Sequence, residues 1–193
     1  MTEIEMNKQR CKWCNLNNPL YVKNHDEEWG VLRTDDRYLF EMLILESFQA
    51  GLSWECILNK RENFRRAYDD FDLDKVCAYD EIKIAELKAD SGIVRNTLKI
   101  KASINNARIF KSICSECGSF RTYLDRFACG RIIYENDRTT NELSDAISND
   151  LKKRGMKFVG STIIYAYLQA VGIINSHDRE CFAFSCSAIA KER

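Results

Sequence analysis

The chain has 193 residues, 45% hydrophobic and 30% charged, and its 29 basic and 29 acidic residues cancel to zero net charge. That length suits one compact domain or two small lobes with a sizeable core, and the zero balance excludes a protein holding nucleic acid by overall charge alone. No run of about 20 uncharged apolar residues occurs, which excludes an ordinary helical membrane span. The first ten residues are polar and carry no apolar signal core, so a cytoplasmic protein is expected. Nine cysteines, an odd number, point in such a chain to thiols or metal ligands rather than disulfides.

With one proline and eight glycines, long helices can run with few interruptions. Thr34 or Asp35 can cap a helix running to about Ala50, which Gly51 ends. Ser53 can cap the next, with Trp54, Ile57, Leu58 and Phe64 as its apolar stripe. Segments 80–89 and 94–115 read as two further helices, the latter with apolar residues at 94, 98, 102, 109 and 113. Helices over 119–127, 144–154 and 160–171 follow. Only 130–135, with Arg131-Ile-Ile-Tyr134, has weak strand character. No internal repeat or linker interrupts the pattern, so an all-α chain forming one domain over residues 1–193 is expected.

Three features carry chemistry. The first is Glu46, in the apolar run Tyr38-Leu-Phe-Glu-Met-Leu-Ile-Leu-Glu46-Ser-Phe-Gln-Ala50. A helix that is apolar nearly all round is interior, and an ionised carboxylate there needs a donor, a cation or a polar cavity. Glu41 can escape near the first turn, whereas Glu46 has Met42 and Leu43 one turn before it. With Trp54 just beyond Gly51, a pocket for a flat, donor-bearing or cationic ligand is one reading. The other is a Glu that reaches the surface or pairs with an Arg or Lys.

The second is the pair of histidines, each near cysteines: Cys11-x13-His25 and His177-x3-Cys181. The latter spacing puts two ligands on one face of a helical turn, so the four residues can make a closed Cys2His2 zinc site that pins the chain ends together. Cys11-Lys-Trp-Cys14 and Cys114-Ser-Glu-Cys117 leave open a separate four-thiolate site.

The third is Lys152-Lys-Arg-Gly155-Met-Lys-Phe-Val-Gly160-Ser161-Thr162. Its glycines permit a tight turn, and the following helix offers N–H groups to an anion. With Lys153, Arg154 and Lys157 nearby, a DNA phosphate fits such a helix-hairpin-helix element, although many helix connections have glycines. Segments 92–115 and 151–177 hold no acid, which suggests one positive face, while balanced solvated helix faces are the alternative.

Taken in order, Cys11-x-Trp13, Asn24-His-Asp-Glu-Glu-Trp-Gly30, Leu45-Glu-Ser-Phe-Gln-Ala-Gly-Leu-Ser-Trp54, Lys60-Arg-Glu-Asn-Phe64, Lys152 to Gly160, Gln169-Ala-Val-Gly172 and Asn175-Ser-His177-x3-Cys181 resemble the 3-methyladenine DNA glycosylase I family. The resemblance covers about residues 10–182. It implies a helix-hairpin-helix glycosylase that flips and excises 3-methyladenine from alkylated double-stranded DNA and releases the free base. It implies structural zinc on Cys11, His25, His177 and Cys181, base recognition by Glu46, and stacking by Trp54. Trp13, Tyr21 and Trp29 match further pocket aromatics.

Two positions depart from the family pattern. Asn24 stands where tyrosine is common, and Phe48 where a smaller or polar residue is; the lost ring leaves the base stacked on one side only, or Phe48 or Tyr21 compensates. A non-enzymatic zinc module is the rival reading. A thiol-redox protein using Cys11 and Cys14 lacks the βαβ context it needs. A monomer is the default for an enzyme of this size working along DNA.

Overall fold

A computed structural model describes residues 8–184. Helix α1 (Pro19–Glu27) begins at Asn18, whose side chain accepts from the Leu20 and Tyr21 N–H groups, with Pro19 in the first turn where a missing N–H costs nothing. Asp35 caps α2 (Asp36–Gln49) and Ser53 caps α3 (Trp54–Ala67), as their sequence signals imply. A short 3-10 turn (Asp69–Phe71) leads into α4 (Leu73–Cys77) and α5 (Glu81–Ala89). Then come the long α6 (Thr97–Cys117), α7 (Phe120–Ala128), strand β1 (Ile133–Tyr134), α8 (Glu142–Lys153), α9 (Ser161–Ala170) and strand β2 (Ile174–Asn175).

Helix α2 is the axle. It packs against α3, α6, α7 and α9, and its residues from Leu39 to Phe48 are all buried. Such a helix must satisfy its own polar ends inside the protein. Lys99 on α6 does this at the C-terminus, its Nζ donating to the carbonyls of Phe48 (2.8 Å) and Ala50 (2.6 Å). Gly51 follows at φ +80°, a conformation that L side chains avoid.

The same helix carries two buried acids with different fates. Glu41 does not escape to solvent. It is 6% exposed and held by Arg61 (2.7 Å) and Arg65 (2.9 Å), with Arg61 also reaching Glu28 (2.5 Å). Glu46 has no such partner among the described residues.

The expected strand at 130–135 is two residues long and pairs in parallel with β2, Ile133 opposite Ile174 and Tyr134 opposite Asn175. This small ladder brings the loop after β1 beside the segment carrying His177. Gly172, at φ +76°, lets the turn before β2 lie against the backbone of Val31 and Leu32, where a Cβ would collide. The basic run 92–115 is less positive outside than its composition suggests. Lys99 is internal, while Lys101 and Lys111 pair with Glu81 and Asp74. No helix is long and apolar enough to cross a membrane among the described residues.

Candidate active site and metal centre

A cavity of about 320 Å³ opens where α2, α9 and both ends of the chain meet. Glu46 and Gln49 reach it from α2, Trp54 from the start of α3, and Ala166 and Gln169 from α9. Trp13, Tyr21 and Trp29 close it from the N-terminal segment, and Asn136, Asp137, Ser176 and Asp178 from the loops after β1 and β2. The aromatic walls lean on one another: Trp13 meets Trp29 edge-on at 4.6 Å between centroids and lies 5.9 Å from Tyr21.

Glu46 is 3% exposed, and its buried Oε2 has no hydrogen-bond partner. Desolvation alone pushes its carboxyl up to about 8. With neither Arg nor Lys beside it, the ion-pair reading of this residue is not what the structure contains. A carboxyl orphaned at the wall of an aromatic cavity is poised for a ligand that donates hydrogen bonds or carries positive charge.

Asn24 does not face the cavity as a replacement ring. It is 3% exposed, and its Oδ1 accepts from the indole Nε1 of Trp54 at 3.0 Å, so it sets the orientation of that indole at the cavity. Phe48 is not brought to the cavity at all. It is fully buried in the core, its ring packed against Phe64 at 4.9 Å and Tyr68 at 6.2 Å. The helical period explains this: Phe48 lies two residues from Glu46 and hence on the opposite side of α2.

The four candidate metal ligands converge. The ligand atoms of Cys11, His25, His177 and Cys181 all lie within 4.8 Å of one another, and all four residues are buried. Cys11 Sγ is 3.4 Å from His177 Nδ1, and Cys181 Sγ is 3.5 Å from His25 Nε2 and 3.6 Å from His177 Nδ1. Zinc with Zn–S near 2.3 Å and Zn–N near 2.0–2.1 Å at tetrahedral angles separates S from N by about 3.5 Å, so the spacing fits that ion.

The outer contacts fit as well. His25 Nδ1 meets Asp26 Oδ1 at 2.8 Å, Asp26 is gripped by Arg10 at 2.7 Å, and His177 Nε2 meets the Trp29 carbonyl at 3.1 Å. Burial pushes the Cys11 thiol up to about 12 and the His177 imidazole down to about 4. The histidine is thus held neutral, as metal binding requires, and the thiol needs a cation to ionise. Cys14 is buried nearby but stands outside the group of four, while Cys114 and Cys117 sit at the far end of α6. The pocket and this cluster share a wall, since Trp13 packs on His25 (5.2 Å) and Trp29 on His177 (4.6 Å).

The hairpin residues lie apart from the cavity, between α8 and α9. Gly155 adopts φ +98° and Gly160 precedes α9 without a side-chain cap. Lys153 and Lys157 project outward. Arg154 instead pairs with Glu116 and Asp150, both at 2.8 Å, and the Ser161 hydroxyl donates to Asp145. The sequence reading missed Asn136, Asp137 and Asp178 as cavity residues. They lie in irregular loops where no periodicity marks them.

Known proteins resemble this chain in sequence and fold. The family model described as methyladenine glycosylase matches residues 13–184. DNA-3-methyladenine glycosylase 1 of Escherichia coli (strain K12) is 42% identical over 182 residues, spanning 91% of this chain and 97% of that protein. A crystal structure of 3-methyladenine DNA glycosylase I superposes with a TM-score of 0.86 at 42% identity, covering 90% of this chain and 98% of that one. A point variant of 3-methyladenine DNA glycosylase I in complex with 3-methyladenine superposes with a TM-score of 0.84 at 31% identity, covering 88% and 96%. With the family model spanning most of its length and relatives matching it in sequence and helical architecture, the chain belongs to the methyladenine glycosylase family.

Proposed function

We propose that this protein excises 3-methyladenine from alkylated DNA by hydrolysing the N-glycosidic bond, the first step of base-excision repair. The observation that carries the proposal is the unpartnered, buried Glu46 in an aromatic cavity, in a chain whose relatives bear the name of that activity. Methylation at N3 leaves the nucleotide base cationic and the glycosidic bond weak, so the leaving group needs no protonation. The protein's task is to take the flipped base out of the duplex and hold it. The indole face of Trp54 attracts a cationic ring. Glu46 accepts from the exocyclic amine, and a cation beside it favours the ionised carboxylate that burial disfavours. Normal adenine is neutral and a poor leaving group, so it gains neither effect. No lysine lines the cavity among the described residues, which accords with simple hydrolysis rather than a Schiff-base lyase step.

In this reading residues 8–184 form one glycosylase domain. Zinc held by Cys11, His25, His177 and Cys181 is structural, fixing Trp13 and Trp29 through the two imidazoles and taking no part in bond cleavage. The reading is tested by incubating the purified protein with methylated duplex DNA and separating the released bases chromatographically. Free 3-methyladenine is the expected product, and DNA binding without base release would support a non-enzymatic zinc module instead.

The α8–α9 connection serves as a helix-hairpin-helix element for the DNA backbone in the same reading, with Lys153 and Lys157 as its phosphate ligands. Arg154, already held by two acids, contributes less. Charge reversal at Lys153 or Lys157 should weaken binding equally for damaged and undamaged duplexes. It should also reduce the slope of log K against log salt by about one unit for each phosphate no longer neutralised. Salt titrations with unchanged slopes would place the DNA on another face.

A further inference from the structure

The base cavity contains a second orphaned acceptor. Register in the β1–β2 ladder continues past Tyr134, with the Glu135 N–H donating to the Asn175 carbonyl at 3.2 Å, and this delivers Asn136 beside His177. There Asn136 Nδ2 donates to the His177 carbonyl at 3.0 Å. A carbonyl only accepts, so this bond fixes which end of the amide is nitrogen. The remaining end, Oδ1, is buried and has no partner, the same condition as Glu46 Oε2. Both residues line the one cavity. The next residue, Asp137, turns the chain through a left-handed conformation at φ +63°, uncommon for a non-glycine and frequent where a functional site holds its backbone.

We propose that Asn136 is a second base-recognising residue, its Oδ1 accepting one N–H of the exocyclic amine while Glu46 accepts the other. An amine offers two donors, and an oriented amide oxygen beside a carboxylate satisfies both without adding a second charge. The inference deepens the function proposed above and rests on it. It also joins recognition to the metal centre, because the amide is positioned by the carbonyl of His177.

The test uses calorimetric titration of the wild-type protein, Asn136→Leu and Asn136→Ser with two ligands. These are 3-methyladenine and 3-methylpurine, which has hydrogen in place of the amine. Removing the acceptor should weaken 3-methyladenine roughly 5- to 20-fold and leave 3-methylpurine within about 2-fold. Loosening of the His177 loop would weaken both ligands alike, so the ratio isolates the amine contact. Serine is included because its small side chain fits if leucine disturbs the fold. Equal losses for both ligands, or none, overturn the role of Asn136 while leaving the glycosylase reading intact. Failure of the wild-type protein to bind 3-methyladenine overturns that reading and the role of Asn136 with it.

Discussion

Replacing Glu46 with glutamine should lower affinity for free 3-methyladenine by roughly 10- to 100-fold, because a charge-assisted hydrogen bond is exchanged for a neutral one or for opposed donors. Glu46→Ala should lose at least as much, and Trp54→Ala should also weaken binding by removing the stacking face. The fold should survive, since no protein group depends on the Glu46 charge. Stability should even improve at alkaline pH. The carboxyl titrates near 8 in the folded protein against an ordinary value of 4.5. The folded state therefore binds the extra proton between these limits, and stability falls as pH rises through that window. The penalty is absent below about pH 4.5 and complete above about pH 8. Glutamine does not titrate, so the variant should match the wild type in acid and exceed it by several degrees in melting temperature at pH 9. Thermal melts across pH, read beside ligand titrations, check both halves. A glutamine variant that unfolds at every pH yet excises bases at full rate in its folded fraction would make Glu46 a purely structural residue.

Loss of the metal should have the largest effect on stability. One zinc per chain is expected by elemental analysis. Cys181→Ser should cost more than about 4 kcal/mol, a melting-temperature drop on the order of 10 °C for a chain of this length. The reason is geometric: the cluster ties the segment at residue 11 to that at residue 181, which otherwise meet through a small apolar cluster and a few hydrogen bonds, among them the Phe182 N–H on the Gln9 carbonyl and the Lys12 N–H on Asp178. Because Trp13 and Trp29 pack on the two imidazoles, base affinity should fall together with metal content. Cys14→Ser provides the control. It lies outside the group of four and should keep the full metal complement, whereas zinc loss in that variant would revive the four-thiolate alternative.

Much of this was legible along the chain. Asp35 and Ser53 cap helices as read, because a short acceptor before an apolar-periodic run has one good use, and the helices expected over 80–89 and 119–127 are present, capped by Asp80 and Ser119. The burial of Glu46 followed from the apolar residues surrounding it on α2; His177 and Cys181 do come together, but through an irregular turn over 177–181, closed by the Cys181 N–H on the Asp178 carbonyl, and not through the helical turn their spacing suggested. What failed locally failed for local reasons. Helix α1 begins at the chain's only proline, which reads as a breaker unless it falls in the first turn, and β2 is too short for a period of two to register, whereas the strand expected within 130–135 is present as β1.

The sequence by itself determined the helical class and the buried acid, which depend on residue type and on spacing within single elements, and it narrowed the metal ligands to a few cysteines and the two histidines; the fold chose Cys11, His25, His177 and Cys181 by bringing separate segments together. Only the tertiary structure decided which acid is satisfied. Glu41 and Glu46 lie on the same buried helix, yet α3 supplies arginines to one and a cavity wall to the other. It likewise decided that Phe48 is core, that Asn24 steadies Trp54, and that Asn136 stands at the cavity. Each of these depends on what a distant segment places opposite the residue, and no local period encodes that.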